Sequence, residues 1–164
     1  MKVKNIAVFI AVAGMSGCVA VPMNPAEFRQ AVKTEGSYID SLTVNRPFVD
    51  VTRTMKKMGE ECLSFSLSTS KNGRAPGKPW AWGSSKFVKS SKHAELQFQI
   101  KLDKQLGTIP KDGMYYLVAD VNSVGAAKTK VDIYYWDRAR DVATAIRGWA
   151  TGDMLGCPDP TQMF

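Results

Sequence analysis

The chain has 164 residues, of which 45% are apolar and 23% charged, and its formal net charge is +7. This composition is typical of a globular protein and not of an intrinsically disordered chain. The single histidine excludes a metal site built from several histidines. Calcium-loop, Walker and dinucleotide-binding sequences are also missing from the chain. We therefore expect no metal and no cofactor.

The first eighteen residues have the order of an export signal. Lys2 and Lys4 precede an apolar run from Ile6 to Gly14, as the basic and apolar parts of a signal peptide do. The run is shorter than the roughly 20 residues of a membrane-spanning helix. It is followed by Met15-Ser16-Gly17-Cys18, which resembles the lipobox of bacterial lipoproteins. An ordinary signal peptide with an incidental cysteine is the alternative.

The lipoprotein resemblance implies a division of the chain and a location. It implies a signal peptide over residues 1–17 and a lipidated tether over 18–24 with acyl chains on Cys18. The length of the remaining chain predicts one domain, a single α+β domain over 25–164 by the patterns described below. Val19 follows the lipidated cysteine, whereas aspartate at that position is the family's usual signal for retention in the inner membrane. The resemblance therefore implies an outer-membrane protein that faces the periplasm.

The helices are predicted first from their caps and apolar stripes. Asn24 precedes Pro25 and Glu27 in the order of a helix start, which predicts a short helix over 25–33. A second helix follows the strand over 38–44, with Asn45 as its expected cap. Its apolar residues recur at spacings of three and four: Phe48, Val51, Met55, Met58 and Cys62. A last helix is expected to begin at Asp137 and to end at Gly152.

Alternating apolar and polar residues predict the remaining strands, over 64–70, 84–88, 94–102, 114–121 and 129–136. The order of strand, helix, four or five strands and helix resembles the helix-grip, START-like architecture. The segment Val44 to Val51 is similar to the strand-to-helix segment of that group. The expected fold is therefore α+β, with an antiparallel sheet of about five to six strands and two amphipathic helices on one face. A sheet like that of the TATA-binding protein is the alternative.

Cys62 and Cys157 are the two thiols that remain once Cys18 is lipidated. In an oxidising compartment such a pair is predicted to form a disulfide, with two buried free thiols as the alternative. A bonded cysteine cannot act as a nucleophile.

The strongest local signal is a basic segment between Glu61 and Glu95 that contains no acidic residue. Lysine and arginine attract anionic surfaces, and interleaved indole rings add apolar contact. Export favours phospholipid headgroups, lipopolysaccharide or an acidic envelope protein over nucleic acid. The expected binding residues are Lys71, Arg74, Lys78, Trp80, Trp82, Lys86, Lys89 and Lys92. The alternative is a solvated hairpin whose tryptophans face the core.

Catalysis has weak support in the sequence. His93 lies among lysines and serines without a Gly-x-Ser-x-Gly sequence, which is typical of a solvated edge residue. Asp120 and Asp132 fall on neighbouring strands and are the best candidates for a paired acid and base. We predict a non-catalytic binding or assembly module anchored in the envelope. A carrier of a lipid-like ligand in a helix-grip cavity and an envelope hydrolase are the alternatives.

Overall fold

The computed structural model describes residues 20–35, 37–68, 77–104, 107–153 and 156–164. The predicted signal peptide, Cys18, Lys71 and Arg74 lie outside these ranges. The helices and strands, in chain order, are α1 (Pro25–Thr34), β1 (Tyr38–Val44), α2 (Phe48–Cys62), β2 (Phe65–Ser68), β3 (Pro79–Lys89), β4 (His93–Leu102), β5 (Met114–Gly125), β6 (Lys128–Tyr135) and α3 (Arg140–Thr151). Short 3-10 turns cover Asp137–Ala139 and Pro160–Met163.

The six strands form one antiparallel sheet in the order β1-β6-β5-β4-β3-β2. The predicted α+β class and strand number are confirmed. β3 is longer than expected, because it begins at Pro79 and includes both Trp80 and Trp82.

The main core lies on the face of the sheet covered by α2 and α3. Met55 of α2 and Ile146 of α3 are fully buried there, in one cluster with Phe98 of β4. Inward residues of β4 recur at every second position, as a half-buried strand requires. We call this side of the sheet the main-core face. Both amphipathic helices lie on it, as the sequence predicts.

The third helix, α1, packs on the opposite side, which we call the α1 face. Its residues Phe28 and Val32 are fully buried in a small second cluster with Tyr115 and Val118 of β5. Trp136 completes this cluster, with its ring edge-on to that of Phe28 at 5.3 Å between centroids. α1 covers the sheet at β5, β6 and β1. The β2, β3 and β4 part of the α1 face carries mainly polar side chains.

The Cys62–Cys157 disulfide is confirmed. Its Cα atoms are 4.9 Å apart, and it joins the last residue of α2 to the C-terminal segment across a sequence separation of 95. A loop of this size corresponds to about 4 to 5 kcal/mol in the chain-entropy model of disulfide stabilisation.

The helix ends match the predicted caps in two places and differ in one. Asn24 caps α1 through its side chain, which accepts from the Glu27 amide at 3.0 Å. Gly152 ends α3 with a φ of 98°, a left-handed conformation that glycine adopts without steric cost. The prediction of Asn45 as the cap of α2 is wrong, because Pro47 holds that position and makes no side-chain cap bond.

No helix within the described ranges is long and apolar enough to cross a membrane.

Candidate anion-binding surface

Strand β3 distributes the predicted basic and aromatic residues over both faces of the sheet. Trp82 lies directly opposite Lys101 of β4, and Lys86 lies opposite Gln97. These residues share the α1 face, because side chains of a strand alternate between its two faces. Phe87 and Lys89 therefore face the opposite side, towards α2.

The uncovered part of the α1 face carries one indole and two lysines. Trp82 is half-buried, Lys101 lies opposite it on β4, and Lys86 lies four residues further along β3; both lysines are exposed. Trp82 and Lys101 line a depression of about 320 Å³. We define the tryptophan-lysine patch by six residues: Trp82, Ser84, Lys86, Gln97, Gln99 and Lys101.

The two glutamines form a fixed polar floor beneath the charged side chains. Gln99 is 5% exposed and donates from Nε2 to the carbonyl of Gly113 at 3.0 Å. Gln97 is 6% exposed and donates to the Glu95 carboxylate at 2.6 Å. Because buried amides with their hydrogen bonds satisfied resist movement, this floor is preorganised.

The patch is positively charged and its charges are uncompensated. Neither Lys86 nor Lys101 forms an ion pair with any carboxylate in the described part of the chain. The Lys101 ammonium makes a long contact of 3.5 Å with the backbone carbonyl of Lys111. Unpaired lysines beside an indole attract anions and provide apolar contact with the same surface.

The other predicted binding residues do not join this patch. Lys78 pairs with Asp103 at 3.0 Å, and Trp80 packs edge-on against Phe164 at 4.8 Å between ring centroids. Lys89 lies over the Phe48 ring at 5.3 Å, and Lys92 is exposed in the β3–β4 turn. The described residues of the basic segment therefore do not form one continuous surface.

Lys89 belongs instead to a second basic region, a groove between α2 and β3 of about 480 Å³. Arg53 and Lys56 of α2 line it together with Val49 and Phe87. Their charges are partly compensated, because Arg53 pairs with Asp50 at 3.0 Å and Lys56 lies 3.9 Å from Glu60. The groove is therefore the weaker anion site of the two.

Four residues of the patch were missed at the level of sequence: Ser84 on β3 and Gln97, Gln99 and Lys101 on β4. The alternation along β4 places the last three on one face, but it does not show which residues of β3 lie opposite them. That pairing depends on strand register, which the local pattern does not contain.

An acidic row crosses the α1 face under α1. Glu95 lies opposite Asp120, and Asp120 lies opposite Asp132, on three adjacent strands. Arg29 of α1 bridges the first two, binding the Asp120 carboxylate at 2.6 and 2.8 Å and also Glu95. Burial lowers the pKa of Arg29, but its hydrogen bond to Asp120 and the charges of Asp120 and Glu95 outweigh this and raise it.

The candidate hydrolase residues have structural partners in this row. Asp120 is bound to Arg29, while Asp132 accepts from Ser41 at 2.6 Å and pairs with Lys130 at 2.9 Å. His93 is exposed, with Nδ1 3.0 Å from the amide oxygen of Asn122. Asp120 and Asp132 therefore each already have a basic partner, Arg29 and Lys130 respectively.

His93, Glu95 and Asp120 also have ligand atoms within 4.8 Å of one another, a spacing that suits a metal ion. The guanidinium of Arg29 already supplies the positive charge between the two carboxylates.

The alternative of a helix-grip carrier predicts a cavity between the sheet and α3. The side chains of Val142, Ile146 and Trp149 on α3 are fully buried in the main core at that place.

Comparison with known proteins gives no match, either to a protein-family model or to a curated protein sequence.

Proposed function

We propose that the protein is a lipid-anchored binding module of a bacterial envelope, held by Cys18 in the outer membrane and facing the periplasm. Its tryptophan-lysine patch binds phosphate-bearing lipid headgroups, those of anionic phospholipid or lipopolysaccharide. The observation that carries this proposal is that two exposed lysines without a carboxylate partner, Lys86 and Lys101, share one face of the sheet with the half-buried Trp82.

The disulfide supports the proposed compartment. Such bonds persist in oxidising surroundings such as the bacterial periplasm and are rare in the cytosol. The Cys62–Cys157 bond accordingly agrees with the export signal at the N-terminus.

The strand order supports a short helix-grip architecture as the finer description of the fold. A helix, α2, lies between β1 and β2, five further strands follow, and α3 comes last. The sheet order β1-β6-β5-β4-β3-β2 sets the first strand beside the last.

A vesicle-binding experiment tests the proposed function. A soluble form that begins at Asn24 should sediment with vesicles of anionic phospholipid at low salt and be released at high salt, because exposed charges are screened beyond about 8 Å at physiological ionic strength. A basic residue near a charged bilayer contributes about 1 kcal/mol, so Lys86→Gln and Lys101→Gln should each weaken binding about fivefold.

The matched control is Lys57→Gln, which removes the same charge from the solvent side of α2, where Lys57 lies near Glu61. It should leave vesicle binding unchanged. Equal losses of vesicle binding in all three variants would show that binding depends on net charge alone and would contradict a role for the patch. Binding to an acidic protein but not to lipid vesicles would contradict a lipid headgroup as the ligand.

A further inference from the structure

A separate pocket lies at the end of the sheet where β5 begins and β6 ends. Its volume is about 360 Å³. Met114, Tyr115, Tyr116 and Trp136 form its apolar wall, and Asp137 and Arg138 lie at its rim. None of these six residues belongs to the tryptophan-lysine patch.

A β-bulge lies beside the pocket, near the start of β5. Phe98 of β4 pairs with Leu117, but the next residue, Gln99, pairs with Tyr115, so Tyr116 has no partner on β4. The bulge leaves Tyr115 in the α1 cluster and Tyr116 in the main core. The two adjacent rings therefore line the strand end from both faces of the sheet, and such bulges are common beside binding sites.

The indole wall of the pocket is held in place. Trp136 donates from Nε1 to the carbonyl of Tyr115 at 3.1 Å, and its ring contacts that of Phe28. An aromatic surface fixed in this way requires little ordering when a ligand binds.

The rim carries one positive charge without a carboxylate partner. Asp137 is bound to Arg140 at 2.7 Å, and Arg138 forms no ion pair within the described residues. Arg138 is exposed beside the Tyr116 hydroxyl. Burial raises the pKa of Tyr116, and although the charge and hydrogen bond of Arg138 act against this, the net shift is upward.

The pKa of Tyr115 is also raised, first by burial and then by the charges of Glu95 and Asp112. Both phenols are therefore neutral at physiological pH. The guanidinium of Arg138 faces a pocket whose aromatic wall carries no negative charge of its own.

We propose that this pocket binds a small organic monocarboxylate, with the carboxylate on Arg138 and an apolar body against Met114 and Trp136. Guanidinium and carboxylate groups form the strongest common hydrogen-bonded pair in proteins. Ligand pockets span about 300 to 1,000 Å³, so this one suits an aromatic acid or a short fatty acid and is too small for a complete phospholipid. The site does not depend on vesicle binding by the patch.

Calorimetric titration of the full-length, disulfide-bonded protein tests the proposal. Hydrocinnamate and hexanoate serve as probes and distinguish an aromatic from an aliphatic body. At least one should bind saturably with one site per chain, and the neutral hydrocinnamamide or hexanamide should bind at least about tenfold more weakly, because it lacks the charge that Arg138 recognises.

Arg138→Gln should weaken binding of the carboxylate about tenfold or more, and Arg53→Gln, a matched change on α2, should not. The indole N–H resonance of Trp136 should shift on titration, which locates the ligand. Absence of binding by both acids, equal binding of acid and amide, or an undiminished affinity in Arg138→Gln would each overturn the proposal. The acid and amide comparison needs no variant, so it is independent of any effect on folding.

Discussion

The two faces of the sheet differ in how much apolar surface the helices bury on them. On the main-core face, α2 and α3 bury a continuous apolar layer, and a disulfide fixes the end of α2. On the α1 face, a short helix with only two fully buried residues, Phe28 and Val32, is held by Arg29 over an acidic row. The remainder of that face is polar and accessible. Most of the buried apolar side chains lie on one side of the sheet, and the proposed binding patch lies on the other.

The largest effect is expected from removing the disulfide on the main-core side. Cys62→Ala should lower the free energy of unfolding by about 4 kcal/mol, because the unfolded chain regains the entropy of a long closed loop. Denaturant titration measures this, and Cys157 should then react with an alkylating reagent. The wild-type protein treated with the same reagent without reductant is the control. Alkylation of both cysteines in that control would show that the bond is not formed.

A core truncation on the same face should be nearly as severe. Ile146→Ala removes a fully buried side chain between α3 and the sheet and should cost about 3 kcal/mol, from lost burial plus the cavity left behind. Val49→Ala on α2, where Val49 is 52% exposed, is the matched control and should cost under about 0.5 kcal/mol. Similar losses in the two variants would contradict the assignment of the core to this face.

On the α1 face, the greatest sensitivity should lie at Arg29. Arg29→Met leaves two carboxylates without their cation. Breaking a fully buried pair costs about 3 to 5 kcal/mol, but these side chains are 13–19% exposed, so we expect about 2 kcal/mol.

Hydrogen exchange distinguishes a local from a global effect of this variant. Amides of α1 should lose protection more than those of β4, because α1 is attached mainly through Arg29 and the Phe28 cluster. Arg53→Met on α2, whose ion pair is exposed, is the control and should change neither measurement. Uniform loss of protection across the sheet would instead make α1 part of one cooperative unit with the main core.

The smallest effect on stability is expected in the tryptophan-lysine patch. Lys86→Gln and Lys101→Gln should change the free energy of unfolding by less than about 0.5 kcal/mol, because exposed lysines without carboxylate partners contribute little to folding. Thermal unfolding checks this alongside the vesicle experiment. A loss above 1 kcal/mol in either variant would assign that lysine a structural role and weaken the separation between the two faces.

The spacing of apolar residues predicted the helices and strands, which depend on residues close together in the sequence. The apolar stripe from Phe48 to Cys62 gave α2 its bounds, and the alternation in β4 gave its buried side. Contacts between distant residues were not predictable in this way. Arg29 meets partners 66 and 91 residues away, and nothing in its own helix distinguishes it from a solvated arginine.

The candidate site shows the same limit. Lys86 and Trp82 were selected by composition, as were Lys78 and Lys89, which have other contacts in the folded chain. Register decided between them, because the residue opposite each one on β4 determines its neighbours. The end pocket was not foreseen, since it lies beside a bulge at Tyr116, which has no partner on β4.

The disulfide has a further consequence for how the chain withstands proteolysis. Its covalent ring runs from residue 62 to residue 157 and contains β2, β3, β4, β5, β6 and α3. A protease that cuts one peptide bond within this ring yields two fragments that remain a single covalent molecule. Such nicked protein would run at full mass on a non-reducing gel and would separate into two fragments only after reduction.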